Sequence, residues 1–198
     1  MSTTYPLIAA RREFTDYVAN IRRFQPSDWI RYLAWMGTIF SLFAGTAAFV
    51  LFGHFHGVDF PGYVWFVPGG TALFYTALAI DDIGHRTLYK EDLKTGEGSI
   101  HQMIVGTAVP SVMLLCLCYQ HPDTFRMPAL ALIFLSLFYS VLDEAMHWIR
   151  YRTKGLDRVE MWSHFAAIMG HVIMISSWWQ WYTAGYPGVA ETVAQLPF

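Results

Sequence analysis

Five apolar stretches of roughly 20 residues each dominate the chain, and each has the length that crosses a bilayer core of about 30 Å. They run over about 29–52, 62–85, 100–119, 128–148 and 159–182. In lipid a chain must satisfy its own backbone hydrogen bonds, so such stretches are helices. Charged residues make up 14% of the 198, against about 25% in a soluble domain. The expected fold is therefore an all-α integral membrane protein with five transmembrane helices. Spans two to five form a four-helix bundle in this reading, and residues 29–198 make a single transmembrane domain.

Local signals refine the spans. Ser27-Asp28 after Pro26 offers a helix cap. Pro68-Gly69-Gly70 and Pro110 predict kinks. Trp178, Trp179, Trp181 and Tyr182 suit a membrane–water boundary. Cys116 and Cys118 lie inside an apolar run and read as packing residues. In the segment 1–28, Ile8, Phe14, Tyr17, Val18, Ile21 and Phe24 fall at helical spacing among four arginines. This predicts an amphipathic helix on the membrane surface. The charged start has no early apolar region of the signal-peptide kind.

Lysine and arginine set the expected orientation. Twelve of the 13 fall in the N-terminal segment, at the start of span one (Arg31) or around the ends of spans two and four, and Arg126 alone lies on the other side. The positive-inside rule then puts the N-terminus in the cytoplasm, as in a bacterial inner-membrane protein. With no basic stripe and a net charge of −2, a nucleic-acid partner is not expected.

An internal repeat carries the chemistry. Asp81-Asp82-Ile83-Gly84-His85 ends one apolar run and Asp143-Glu144-Ala145-Met146-His147 ends another. Each is followed by an acid and a histidine one helical turn apart, Glu97 with His101 and Glu160 with His164. Tyr89 falls opposite Tyr151, and Phe74-Tyr75-Thr76 resembles Phe138-Tyr139-Ser140. The repeat halves cover about 62–120 and 127–183. Each half predicts a helical hairpin, the two hairpins pairing about a pseudo-twofold axis along the membrane normal, with span one outside.

Residues three or four apart share a helix face, so every acid–histidine pair points one way. His171 lies two turns beyond His164 on the same face. Because spans two and four end where spans three and five begin, all these residues share one membrane depth. An ionised carboxylate near a bilayer centre costs roughly 2.5–3.5 kcal/mol, so such a cluster needs cations. No Lys or Arg falls inside spans two to five, and four carboxylates balance two divalent metals. Carboxylate with imidazole suits iron or manganese, and also zinc. The candidate metal ligands are Asp82, His85, Glu97, His101, Glu144, His147, Glu160 and His164. Asp81, Asp143 and His171 either orient the histidines or bind metal themselves.

Asp82-x-x-His85 and Glu144-x-x-His147, with Glu97 and Glu160 from two other helices, resemble the di-iron carboxylate proteins of the ferritin-like class. That resemblance implies two metal ions, most readily iron. It departs in having Asp82 for a Glu, extra histidines at 101 and 164, and a bundle that spans the membrane. The extra histidines resemble those of membrane desaturases and hydroxylases, without their full histidine boxes. Asp81-x-x-x-His85 with His101 also resembles the Asp-His-His group in the membrane subunit of particulate methane monooxygenase, which implies copper.

These readings predict a membrane-bound oxidoreductase that activates O2 against a lipophilic substrate within membrane lipid. An external electron donor or partner subunit is required, since no flavin, haem-attachment or iron–sulfur motif is present. A haem- or pigment-binding accessory subunit of a membrane redox complex is the alternative. A proton- or ion-handling transporter, with the acids and histidines as a relay, is the third.

Overall fold

A computed structural model describes residues 4–90, 96–154 and 158–197, without the side chains of residues 4–7, Glu97 and Lys154. Those residues form helices and turns, with no strand among them. The helices are α1 (Thr4–Ala19), α2 (Pro26–Phe55), α3 (Phe66–Thr87), α4 (Glu97–Leu117), α5 (Pro122–Lys154), α6 (Arg158–Thr183) and the short α7 (Val189–Val193). Single 3-10 turns, Asn20–Arg23 and Gly62–Trp65, lead into α2 and α3.

Four segments are long and apolar enough to cross a membrane: Pro26–Phe55, Gly62–Thr87, Gly98–Leu117 and Pro122–Thr153. The fifth expected span, α6, has 26 residues but falls outside that group. Its composition explains why. It carries Glu160, Ser163, His164, His171 and Ser177, all buried. A helix sheltered by other helices needs less apolar surface than one facing lipid.

The sequence places the ends of two helices differently from the structure. Pro128 was expected to open span four, yet α5 begins at Pro122 and carries Pro128 inside it. At its other end α5 runs past Trp148 to Lys154, so Arg150 is helical and not part of a loop. The break expected at Gly155 lies outside the described residues. Gly96, just ahead of α4, takes φ 111°, a conformation that favours glycine.

Helix pairing crosses between the repeat halves. The most extensive packing joins α3 to α6, then α4 to α5, while α5 meets α6 much less. At the α3–α6 crossing a Cβ on Gly70 would stand 2.5 Å from the Met174 nitrogen, and one on Gly170 would stand 2.5 Å from the Phe74 nitrogen. Small residues let helix backbones approach this closely. Along α4 and α5 the buried small residues are Thr107, Ser111, Ala129, Ser136 and Ser140. Swapping the two halves turns the α3–α6 pair into the α5–α4 pair, so cross-pairing keeps twofold logic even though each hairpin's own helices are not the tightest partners. α2 lies against α3, outside the pairs.

The two ends of the bundle differ in filling. One end packs Phe60, Val64, Val67, Leu115, Trp178, Trp181 and Tyr186 into a continuous apolar core. There the Tyr186 hydroxyl donates to the Leu115 carbonyl, and burial pushes that phenol well above its ordinary range. At the other end a smaller cluster of Tyr17, Phe24, Ile83 and Tyr89 ties α1 to α3. Between them lie the repeat's acids and histidines. Cys116 and Cys118 are free thiols, and Cys118 is buried as expected of a packing residue while Cys116 is exposed.

Candidate metal centre

The last turns of α3 and α5 and the first turns of α4 and α6 converge, which brings the acids and histidines of the repeat together. Asp81, His85, Asp143, His147, Glu160, His164 and His171 are all buried. His101 is partly exposed, at 28% of its side chain. The side chain of Glu97 lies outside the described residues.

Asp143 is the hub. Its Oδ2 lies 3.0 Å from His101 Nε2 and 2.9 Å from His164 Nε2, and its Oδ1 lies 3.7 Å from His147 Nε2. His164 Nδ1 stands 2.6 Å from Glu144 Oε2, and Glu144 Oε1 accepts from Trp148 at 2.7 Å. The His147 and His164 rings stack with centroids 3.9 Å apart. His85 centres 4.9 Å from His101 and 5.7 Å from His147, which draws in the first half of the repeat. Its own Nε2 faces Asp81 Oδ2 at 3.2 Å.

Among the described residues two sets of possible metal ligands emerge, each with its ligand atoms within 4.8 Å of one another. One is His101, Asp143, His147 and His164. The other is His85, His147 and Glu160. Ligand atoms bound to one ion at about 2.1 Å lie roughly 3–4 Å apart, and the spacings around Asp143 fall near that range. His147 belongs to both sets.

Of the eight ligands inferred from sequence, His85, His101, His147, Glu160 and His164 stand in these sets, and so does Asp143. Asp82 and Glu144 stand beside them. Asp82 Oδ2 accepts from Arg86 Nε at 2.7 Å. His171 sits deeper, 3.5 Å from Ser140 Oγ and against the Phe74 ring.

The sequence argument missed the arginines. It assigned no Lys or Arg to spans two to five, yet Arg150 is buried, ion-pairs with Glu160 and comes within 2.9 Å of His147 Nδ1. Side chains on a helix lean toward its N-terminus. Because α5 continues past the apolar stretch, Arg150 leans back over His147, one turn earlier. Its guanidinium also caps the Tyr89 ring at 5.3 Å. Arg86 serves Asp82 in the same way. Helical continuity beyond span four was the signal available, since Arg150 lies three residues from His147 on one face. Tyr151, the repeat partner of Tyr89, meets Trp148 edge-on instead.

A cavity of about 590 Å³ opens from the cluster into the bundle. Asp81, His85, His101, Asp143 and His164 line its polar end, and α2, α4 and α6 supply apolar walls. No family model, curated protein or solved structure matches this chain.

Proposed function

We propose that the chain is a membrane-bound, metal-dependent oxidoreductase acting on a lipophilic substrate through a two-metal centre. The observation that carries this reading is the pair of adjacent ligand sets that share His147. Imidazole with carboxylate suits iron, and also copper, manganese or zinc. Two redox-active ions of this kind, iron, copper or manganese, would supply redox chemistry and O2 activation, with electrons from an external donor or partner subunit.

The chain's own residues have distinct tasks in this reading. Asp143 holds His101 and His164 in place, and carboxylate–histidine contacts of that kind fix ring orientation and raise ligand basicity. Arg150 holds Glu160 and gives its buried carboxylate a permanent cation, beside the His147 ring at 3.4 Å. Arg86 holds Asp82. The cavity keeps water scarce and admits an apolar molecule to the polar end. α6 crosses the membrane as a fifth helix, shielded by α3 and α5. The positive-inside rule places the cluster at the cytoplasmic face, with the N-terminus on the same side.

Elemental analysis of detergent-purified protein tests the reading. About two equivalents of a redox metal per chain are expected. Protein purified without chelator that carries no metal, and takes up none on titration, overturns it.

A second reading follows from one observation. The acids and histidines already contact one another at 2.6–3.7 Å, from Glu144 through His164 and Asp143 to His147 and Glu160. Such a chain also serves a proton relay. Proton flux in liposomes loaded with metal-free protein distinguishes it.

A further inference from the structure

Three buried acceptors on the lining of this cavity have no hydrogen-bond donor among the described residues, Asp81 Oδ1, His171 Nε2 and Asp143 Oδ1, and of these Asp143 Oδ1 has His147 Nε2 3.7 Å away. Asp81 is 3% exposed and His171 1%. The state of His171 follows from its neighbour. Ser140 donates its single proton to the Ser136 carbonyl at 2.8 Å, so its oxygen can only accept. In the tautomer that gives this oxygen a donor, His171 Nδ1, 3.5 Å away, carries the ring proton and Nε2 presents a lone pair. Asp81, with its other oxygen on His85, presents a carboxylate lone pair. Buried polar groups are nearly always partnered, so the two without even such a distant neighbour, Asp81 Oδ1 and His171 Nε2, point to a ligand with two donors.

The helix register gives their separation. Gly70 lies level with Met174, and Phe74 with Gly170, on antiparallel helices. Continued along α3 and α6, that register sets Asp81 level with Ser163, eight residues or about 12 Å from the level of His171. Both side chains lean toward their own helix N-termini, hence toward each other. Two hydrogen bonds of about 2.8 Å occupy nearly half the gap. A six-membered ring with oxygens at opposite corners is short enough to lie between the two acceptors. Trp35, Leu78, Val109 and Ile168 supply apolar wall for such a ring and its tail.

We propose that this cavity binds a hydroquinone with an apolar tail, one hydroxyl donating to Asp81 Oδ1 and the other to His171 Nε2. The proposal rests on the lipophilic-substrate part of the reading above and not on its metals. A long-chain alcohol satisfies one acceptor and leaves the other bare. The oxidised quinone offers only carbonyl acceptors and satisfies neither.

The test is calorimetric titration of the purified protein under argon with decyl-benzohydroquinone, its dimethyl ether, the matching quinone and a long-chain alcohol. Metal content is measured on the same samples. The hydroquinone is expected to bind at least tenfold more tightly than the ether or the quinone. His171→Leu and Asp81→Asn are each expected to remove most of that preference, with His171→Leu keeping wild-type metal content. Binding of the ether within twofold of the hydroquinone overturns the proposal, on wild-type protein alone, whether or not the variants fold. An unchanged hydroquinone preference in His171→Leu overturns it as well. Selective hydroquinone binding by protein that holds no metal supports the cavity assignment while removing the two-metal reading.

Discussion

In the first half of the repeat Asp81 sets one oxygen on His85 at 3.2 Å, whereas in the second half Asp143 meets His101, His147 and His164. The next acid along diverges too. Asp82 has Arg86 four residues on and pairs with it, while Glu144 has Trp148 there and turns its other oxygen to His164. Gly84 marks a third difference. A Cβ there would stand 2.0 Å from the Tyr17 hydroxyl, so glycine admits α1 to the first half, and the matching position holds Met146. Equal spacing thus gives equal depth and facing, and the residue one turn further along the helix decides where each acid points. The second half became the hub, and the first half became the face that meets α1 and the cavity.

The largest expected effect separates the two aspartates. Asp143→Ala strands His101 and His164 without their acceptor. Removing one partner from a buried charged network costs about 3–5 kcal/mol. Metal content should fall to near zero and the unfolding midpoint should drop sharply. Asp81→Ala removes one contact and should cost about 1–3 kcal/mol, with metal mostly retained. Thermal unfolding with metal analysis of both variants checks this, and equal losses would erase the distinction between the halves.

Next come the arginines. Arg150→Met leaves the buried Glu160 without its permanent cation and should destabilise by about 3 kcal/mol. Adding Glu160→Gln to that variant should recover a good part of the loss, because the uncompensated charge is gone. Arg86→Met should cost about 1 kcal/mol, since the Arg86–Asp82 pair keeps some solvent at both ends. Chemical denaturation of the three proteins reads the order directly. A smaller loss for Arg150→Met than for Arg86→Met contradicts the assignment of Arg150 as the interior cation.

A finer contrast concerns the second acids. Glu144→Gln keeps the shape but weakens the hold on His164, so metal affinity should fall about 10–100-fold, as when an orienting carboxylate is lost. Asp82→Asn, whose partner is Arg86, should change metal affinity less than threefold. Competition against a chromogenic chelator measures both. Equal weakening would restore the equivalence that the sequence repeat implies.

What the sequence revealed and what it hid have physical reasons. Apolar length exposes a helix, so α2 through α5 were legible, and the acid–histidine spacing marked the shared depth of His85, His101, His147 and His164. The outward turn of Asp82 depends on a pairing with Arg86 that competes with the histidines, and spacing alone does not rank such partners. Arg150 was hidden because a charged residue just beyond an apolar run looks like the start of a loop, although α5 continues to Lys154. The pairing of α3 with α6 depends on the Gly70–Gly170 approach, a contact 100 positions apart that no local pattern signals.

The smallest expected effect lies at the opposite end of the bundle. His121 is exposed at the turn into α5, with its ring edge-on to Phe125 at 6.3 Å. Its backbone carbonyl accepts from Thr124 and Phe125, contacts that do not depend on its side chain. It belongs to neither ligand set. Exposed substitutions of this kind usually change stability by less than about 0.5 kcal/mol. His121→Ala should therefore keep full metal content, wild-type hydroquinone affinity and an unchanged unfolding midpoint. This sharpens the comparison between the halves, because it shows whether losing any histidine depletes metal or only losing one at the shared depth of the repeat. A fall in metal content in His121→Ala, measured beside Asp143→Ala in one preparation, would place part of the bound metal outside the cluster around Asp143.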